Sequence, residues 1–150
     1  MGFSSGNDLI RTVTKFTGTH TLTSAQSGHT IVLWDNGDNS VTTITLPAAA
    51  TNKGVWFLFS FADYHGATNA AHIIKSTAND MYGKIWSHNN DLSDPTITVT
   101  AATGAAGTHG KITLTNNCSA GDYIEMTSDG SSWVVEGSLN DAPTLAAYNA

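Results

Sequence analysis

At 150 residues the chain is about one domain long, enough to remove roughly 70% of its unfolded surface from water without a metal or disulfide. Only 12% of its residues are Asp, Glu, Lys or Arg, against about 25% in ordinary domains, and Thr, Ser, Gly and Asn fill the gap. The net charge is −6 and the six basic residues (Arg11, Lys15, Lys53, Lys75, Lys84, Lys111) are scattered, which leaves no phosphate-neutralising stripe and no expected nucleic-acid partner.

No apolar run approaches the roughly 20 residues that span a bilayer, so no membrane partner is expected. The start, MGFSSGNDLIRTVTKF, lacks a charged region followed by an apolar run, and no signal peptide is expected. The single Cys118 excludes an internal disulfide framework and reads as a small buried thiol, since no cation adjoins it. Asn117-Cys118-Ser119 matches a glycosylation acceptor, a chance match without a secretory signal.

In chain order, residues 1–17 read as an N-terminal arm. Within it, Leu9 to Phe16 alternates weakly and suits either a strand or an extended segment laid on a partner. Thr19 to Thr23 and Thr30 to Trp34 are short strands. Asp35 to Asn39 is dense in turn formers, with Asn36-Gly37 fitting a type I′ turn. Val41 to Leu46 follows, with Thr42, Ile44 and Leu46 on one face, and Pro47 ends it because proline cannot continue a ladder.

Gly54 to Phe61 (GVWFLFSF) is apolar on both faces and predicts a central buried strand. Further strands are expected over Ala71 to Ser76, Met81 to Trp86, Thr96 to Ala101 and Lys111 to Asn116. Gly121 to Gly137 predicts a hairpin about Asp129-Gly130. A two-residue loop sets Met126 opposite Trp133 and Ile124 opposite Val135. Ile124, Met126, Trp133 and Val135 then share an apolar face, and Tyr123, Glu125, Val134 and Glu136 line the other; a four-residue loop keeps that parity. Residues 139–150 read as a short C-terminal tail with one helical turn around Leu145-Ala146-Ala147.

About ten short strands bounded by Gly, Asn or Asp predict an all-β fold, an antiparallel β-sandwich or barrel of jelly-roll type over residues 18–138. Ile97/Val99 and Ile112/Leu114 look alike, but two similar strands do not make a solenoid repeat.

Chemistry is sparse. The carboxylates fall mostly in turns (Asp35, Asp38, Asp91, Asp94, Asp129) or on the outward hairpin face, where they bond local backbone rather than form an acid–base pair. The six histidines (His20, His29, His65, His72, His88, His109) show no short-spaced ligand pair. A histidine near the axis of a symmetric oligomer becomes several, so an inter-subunit metal stays open. Asp35 to Asn39 lacks the ligand spacing of a calcium loop. No nucleotide or hydrolase motif occurs, so no cofactor and no enzymatic activity are expected. Trp34, Trp56, Trp86 and Trp133 lie in alternating runs and read as core residues rather than a sugar-stacking platform.

The order Thr21-Leu22-Thr23, Gly28, Ile31-Val32-Leu33, Ile44-Thr45-Leu46-Pro47, Gly54, Gly121-Asp122-Tyr123-Ile124 and Ser128-Asp129-Gly130-Ser131-Ser132-Trp133 resembles the decoration (cement) proteins of tailed-phage heads. It is also similar to β-domains of phage tail fibres and other appendages. The resemblance implies a homotrimer on the outer surface of the virion that clamps the major capsid protein and stabilises the assembled head. Its alternative is a receptor- or glycan-binding module of a fibre, gripping through residues such as Tyr64 or Trp86. The expected subunit or capsid contacts are Phe3, Leu9, Ile10, Val13 and Phe16 of the arm and Leu145 and Tyr148 of the tail.

Overall fold

The computed structural model describes residues 12–33, 41–61, 72–88, 97–102, 109–114, 119–140 and 143–146. Its strands are β1 (Val13–Phe16), β2 (Thr19–Thr21), β3 (Thr30–Leu33), β4 (Thr43–Thr45), β5 (Trp56–Phe61), β6 (His72–Lys75), β7 (Met81–His88), β8 (Ile97–Ala102), β9 (Lys111–Leu114), β10 (Tyr123–Ser128), β11 (Trp133–Leu139) and β12 (Thr144–Ala146). They form a seven-stranded sheet in the order β1-β3-β5-β10-β11-β7-β8 and a five-stranded sheet in the order β12-β9-β6-β4-β2. The described residues are all β apart from two single 3₁₀ turns, Ser24–Gln26 and Ala49–Thr51.

Alternation in the sequence becomes two facing apolar layers. In the smaller sheet the registers align His20, Ile44, Ile74, Ile112 and Leu145 in one row across all five strands. The three isoleucines of that row are buried and face the larger sheet. Opposite them lie Ile31, Phe57, Phe59, Ile124, Met126, Trp133 and Val135, none more than 2% exposed. Each such side chain contributes roughly 1.5–3 kcal/mol by leaving water, which is the main force holding the sheets together. Thr42, Ile44 and Leu46 are all buried, as the alternation predicts.

The sheets are mixed, not antiparallel, and this corrects the sandwich expected from the sequence. Strands β1, β3 and β5 are parallel neighbours in one sheet, and β2, β4 and β6 in the other. The chain changes sheet after each of these strands, so every full turn brings it back beside its own previous strand in the same direction. Three coils are wound this way before β7. A jelly roll pairs antiparallel neighbours, and only the second half of the chain approaches that style, through β7–β8, β6–β9, β5–β10, β10–β11 and β9–β12. The coils begin at unequal intervals, which hides the winding from any search for a fixed repeat.

The hairpin has a four-residue loop, with Ser128 opposite Trp133 and Met126 opposite Val135. The Asp129 carboxylate takes the backbone N–H groups of Ser131 and Ser132, each at 2.7 Å, and spreads the turn beyond Asp129-Gly130. Face parity survives, since Ile124, Met126, Trp133 and Val135 are all buried. In the tail, Thr144–Ala146 is strand β12 against β9 rather than a helical turn; edge pairing outweighs the helix preference of its alanine. Strand β5 lies third in its sheet and buries Phe57, Phe59 and Phe61, while Trp56, Leu58 and Ser60 are only half-buried on the other face.

One close approach depends on glycine. Gly83 of β7 (φ +143°) lies beside Val135 of the parallel strand β11, and a Cβ there would stand 1.9 Å from the Val135 carbonyl oxygen. Gly83→Ala is expected to cost about 3 kcal/mol, the upper range for overpacking, read as a lower urea midpoint. Gly54 also has positive φ (+82°) but open space around it. Gly54→Ala is expected to cost only the left-handed backbone penalty of about 1–2 kcal/mol. Equal losses at the two positions would show that β7 and β11 do not approach so closely.

Candidate functional site

The same alternation that fills the core sends a second set of side chains to the outer face of the seven-stranded sheet. The registers arrange them in rows that cross the strands. One row runs Lys15, Val32, Ser60, Tyr123, Ser138 and Trp86. The next runs Val13, Thr30, Leu58, Glu125, Glu136 and Lys84, and a third runs Trp56, Thr127, Val134 and Tyr82. Trp86 is 44% exposed and Tyr123 41%, in one row with Ser138 between them. Ser138 Oγ and His88 Nε2 share a hydrogen bond of 3.1 Å beside Trp86. The face is therefore part apolar and part charged, with Trp86 and Tyr123 standing in solvent and Trp56 and Tyr82 half-buried.

The second exposed feature is the flank made by β1. Val13 is 64% exposed on this edge strand, whose recorded pairing is to β3 on one side. Phe16, three residues on, turns inward against the core and stacks on His20 with ring centroids 4.2 Å apart. Thr14 Oγ1 and His29 Nδ1 share a hydrogen bond of 3.2 Å and hold β1 to the adjoining turn. Of the expected contact residues, Val13 is the one seen exposed. Phe16 and Leu145 are half-buried and pack on the chain's own core. Phe3, Leu9, Ile10 and Tyr148 lie outside the described residues, as do Tyr64, Trp34, His65, Cys118 and the Asp35 to Asn39 turn.

The described histidines do not converge. His20 Nε2 bonds the Thr17 carbonyl at 2.8 Å, His72 is buried in β6 with its ring centroid 6.0 Å from that of Phe61, and His109 bridges to Met81. Among the described residues no three His, Cys, Asp or Glu side chains group as metal ligands. A small apolar pocket lies between the sheets, lined in part by Met81, Gly83, Ile112 and Leu145, with room for about one water molecule. No described helix is long and apolar enough to cross a membrane. Of the tryptophans, Trp133 is core, as its alternating run implies, and Trp86 is not; both faces of β7 carry apolar residues, so periodicity alone leaves its inward face undecided. Comparison with protein-family models, curated proteins and solved structures returned no match.

Among the described residues two carboxylates have displaced acidities, in opposite directions. The backbone N–H groups of Ser132 and Ser131, with the Tyr82 hydroxyl donating at 2.8 Å, hold the Asp129 carboxyl well below the usual carboxylate range. The same bond, as hydroxyl donor to a carboxylate, pushes the Tyr82 phenol up. Burial pushes Asp80 up, against a weaker opposing bond from Ser76, and its Oδ1 is enclosed without a hydrogen-bond partner. A depressed acid stabilises the fold above its unfolded pKa of about 3.9 and loses that contribution as pH falls. A raised acid does the reverse, and stability declines as pH climbs from about 3.9 through the folded value. Asp129→Ala is accordingly expected to lower the melting temperature at pH 7 and flatten its fall below pH 4, whereas Asp80→Asn is expected to raise it at pH 7. Thermal melts from pH 2 to 7 check both signs, and a stabilised Asp129→Ala or a destabilised Asp80→Asn would contradict them.

Proposed function

We propose that the protein is a non-enzymatic structural component of a phage particle, a homotrimeric decoration protein that binds the major capsid protein on the outer surface of the head. The observation that carries this reading is the β1 flank, a four-residue edge strand (VTKF) on which Val13 stands 64% exposed with Lys15 as its one charge. Edge strands invite further pairing, and natural monomers blunt them with charge, proline or cover. The surface of a chain with only 12% charged residues is also cheaper to desolvate against neighbouring proteins than that of an ordinary domain. Decoration stabilises by mass action: a protein that binds the assembled shell and not its dissociated parts favours assembly without any chemistry. Trivalent engagement makes modest individual contacts sufficient.

Residues 1–17 act as the arm and 139–150 as the tail in this reading, each joined to the sandwich by its own strand, β1 and β12. Phe3, Leu9, Ile10 and Val13, with Tyr148, supply docking surface. Phe16 and Leu145, being packed on the core, hold β1 and β12 in place for it. Removing Met1 to Lys15 would take most of β1 from the sheet, so the cleaner variants are a deletion of residues 1–11 and Val13→Lys. Both are expected to keep the melting temperature within about 2 °C of the parent and to lose binding to heads assembled without the protein, scored by co-sedimentation. Normal decoration by both variants would refute docking through β1. A monomeric parent protein that ignores heads would refute the function.

A further inference from the structure

We infer that the outer face of the seven-stranded sheet is a saccharide-binding strip between Trp86 and Tyr123, taking a chain of neutral or N-acetylated pyranoses. This inference does not depend on the capsid reading, because it rests on β10, β11 and β7, three or more strands away from β1 on the same sheet face.

Trp86 and Tyr123 sit in one row, two strand spacings apart, which places their backbones roughly 10 Å from one another. Both are over two-fifths exposed on regular strands, where a rigid backbone fixes their spacing. Between them stands Ser138, whose hydroxyl already shares a hydrogen bond with His88. One row along, about 7 Å away, Glu125 and Glu136 are directly opposed across β10 and β11, with Lys84 next to Glu136. Aromatic faces pack against the C–H faces of sugar rings, and carboxylate and hydroxyl oxygens accept from sugar hydroxyls. Two aromatic positions flanking a polar strip fit a linear chain lying across the strands.

The carboxylate pair selects among possible occupants. Like charges directly opposed on an antiparallel pair are locally unfavourable, so a closely covering surface must satisfy both. An apolar protein cover would bury them beside a single nearby lysine, at high desolvation cost. A second copy docked face to face would bring four carboxylates together on chains that each carry a net charge of −6. A saccharide donates O–H groups to both glutamates and leaves them partly in water. Side chains standing in rows on an open sheet face suit an extended polymer better than a small buried ligand.

The test uses the full chain with maltotriose, cellotriose and chitotriose as probes in saturation-transfer NMR, followed by an array of neutral and N-acetylated oligosaccharides. At least one such glycan is expected to bind, with Trp86→Ala weakening it by about tenfold or more. Tyr123→Ala and Glu125→Gln should each weaken it several-fold, and melting temperatures should stay close to the parent, since these side chains lie outside the core. Binding unchanged in the Trp86→Ala/Tyr123→Ala double variant would overturn the site. Silence of the parent protein across probes and array would overturn it too. So would sedimentation showing that the double variant dissolves a parent oligomer, which would make the face a protein interface.

Discussion

The fold depends on how one indole is held between the sheets. Trp133 opens β11, is fully buried, and lies against Phe57 of β5 with ring centroids 5.8 Å apart. A buried indole must still satisfy its N–H, and Trp133 Nε1 donates to the Pro47 carbonyl at 3.2 Å, directly after β4 of the opposite sheet. Its backbone N–H donates to Asp80 just before β7. Around it the turns at that end are tied together: Ser128 Oγ donates to the Ala49 carbonyl at 2.9 Å, and Gly54 and Val55 exchange backbone bonds with Ser128. One residue therefore joins the hairpin, the neighbouring strand and the opposite sheet through its side chain, and the connection to β7 through its backbone. Buried polar groups that are fully satisfied in this way specify an arrangement as well as stabilising it.

Much of this was legible in the sequence, and the limit falls at strand pairing. Period-two alternation says which side chains share a face, and it placed Thr42, Ile44, Leu46, Ile124, Met126, Trp133 and Val135 inward as observed. It is silent on which strand lies beside which, because that is settled by contacts between distant segments. The parallel pairing of β7 with β11 turns on Gly83, whose missing side chain lets two backbones approach; a glycine in MYGKIW carries no such message by itself. The same ambiguity hid Trp86. With Met81 and Ile85 on one face of β7 and Tyr82 and Trp86 on the other, either face suits a core, and only the packing of Met81 and Ile85 against the second sheet turns Trp86 outward. The four-residue hairpin loop was hidden in a different way. Asp129-Gly130 is a strong two-residue turn signal, but the Asp129 side chain competes for backbone donors two and three residues on.

The winding also explains why the two surfaces of interest are separate. Three coils laid side by side leave β1 and β2 as the last strands of their sheets at one flank, since the chain has no earlier described coil to cover them. Whatever docks there extends both sheets or caps them. The aromatic row with Trp86 and Tyr123 lies instead on β7, β11 and β10, toward the other side of the larger sheet, on strands whose positions are fixed by neighbours on each side. Between the two lie β3 and β5, whose outward residues Thr30, Val32, Trp56, Leu58 and Ser60 are all half-buried. An occupant of the β1 edge does not have to cover Trp86, and a ligand at Trp86 does not have to displace it. A sandwich organised this way can be held by one flank while presenting a rigid, partly aromatic face to something else. That division follows from strand order alone, because a chain that winds its first half and folds back its second half must leave its opening coil at an edge and its closing hairpin in the middle.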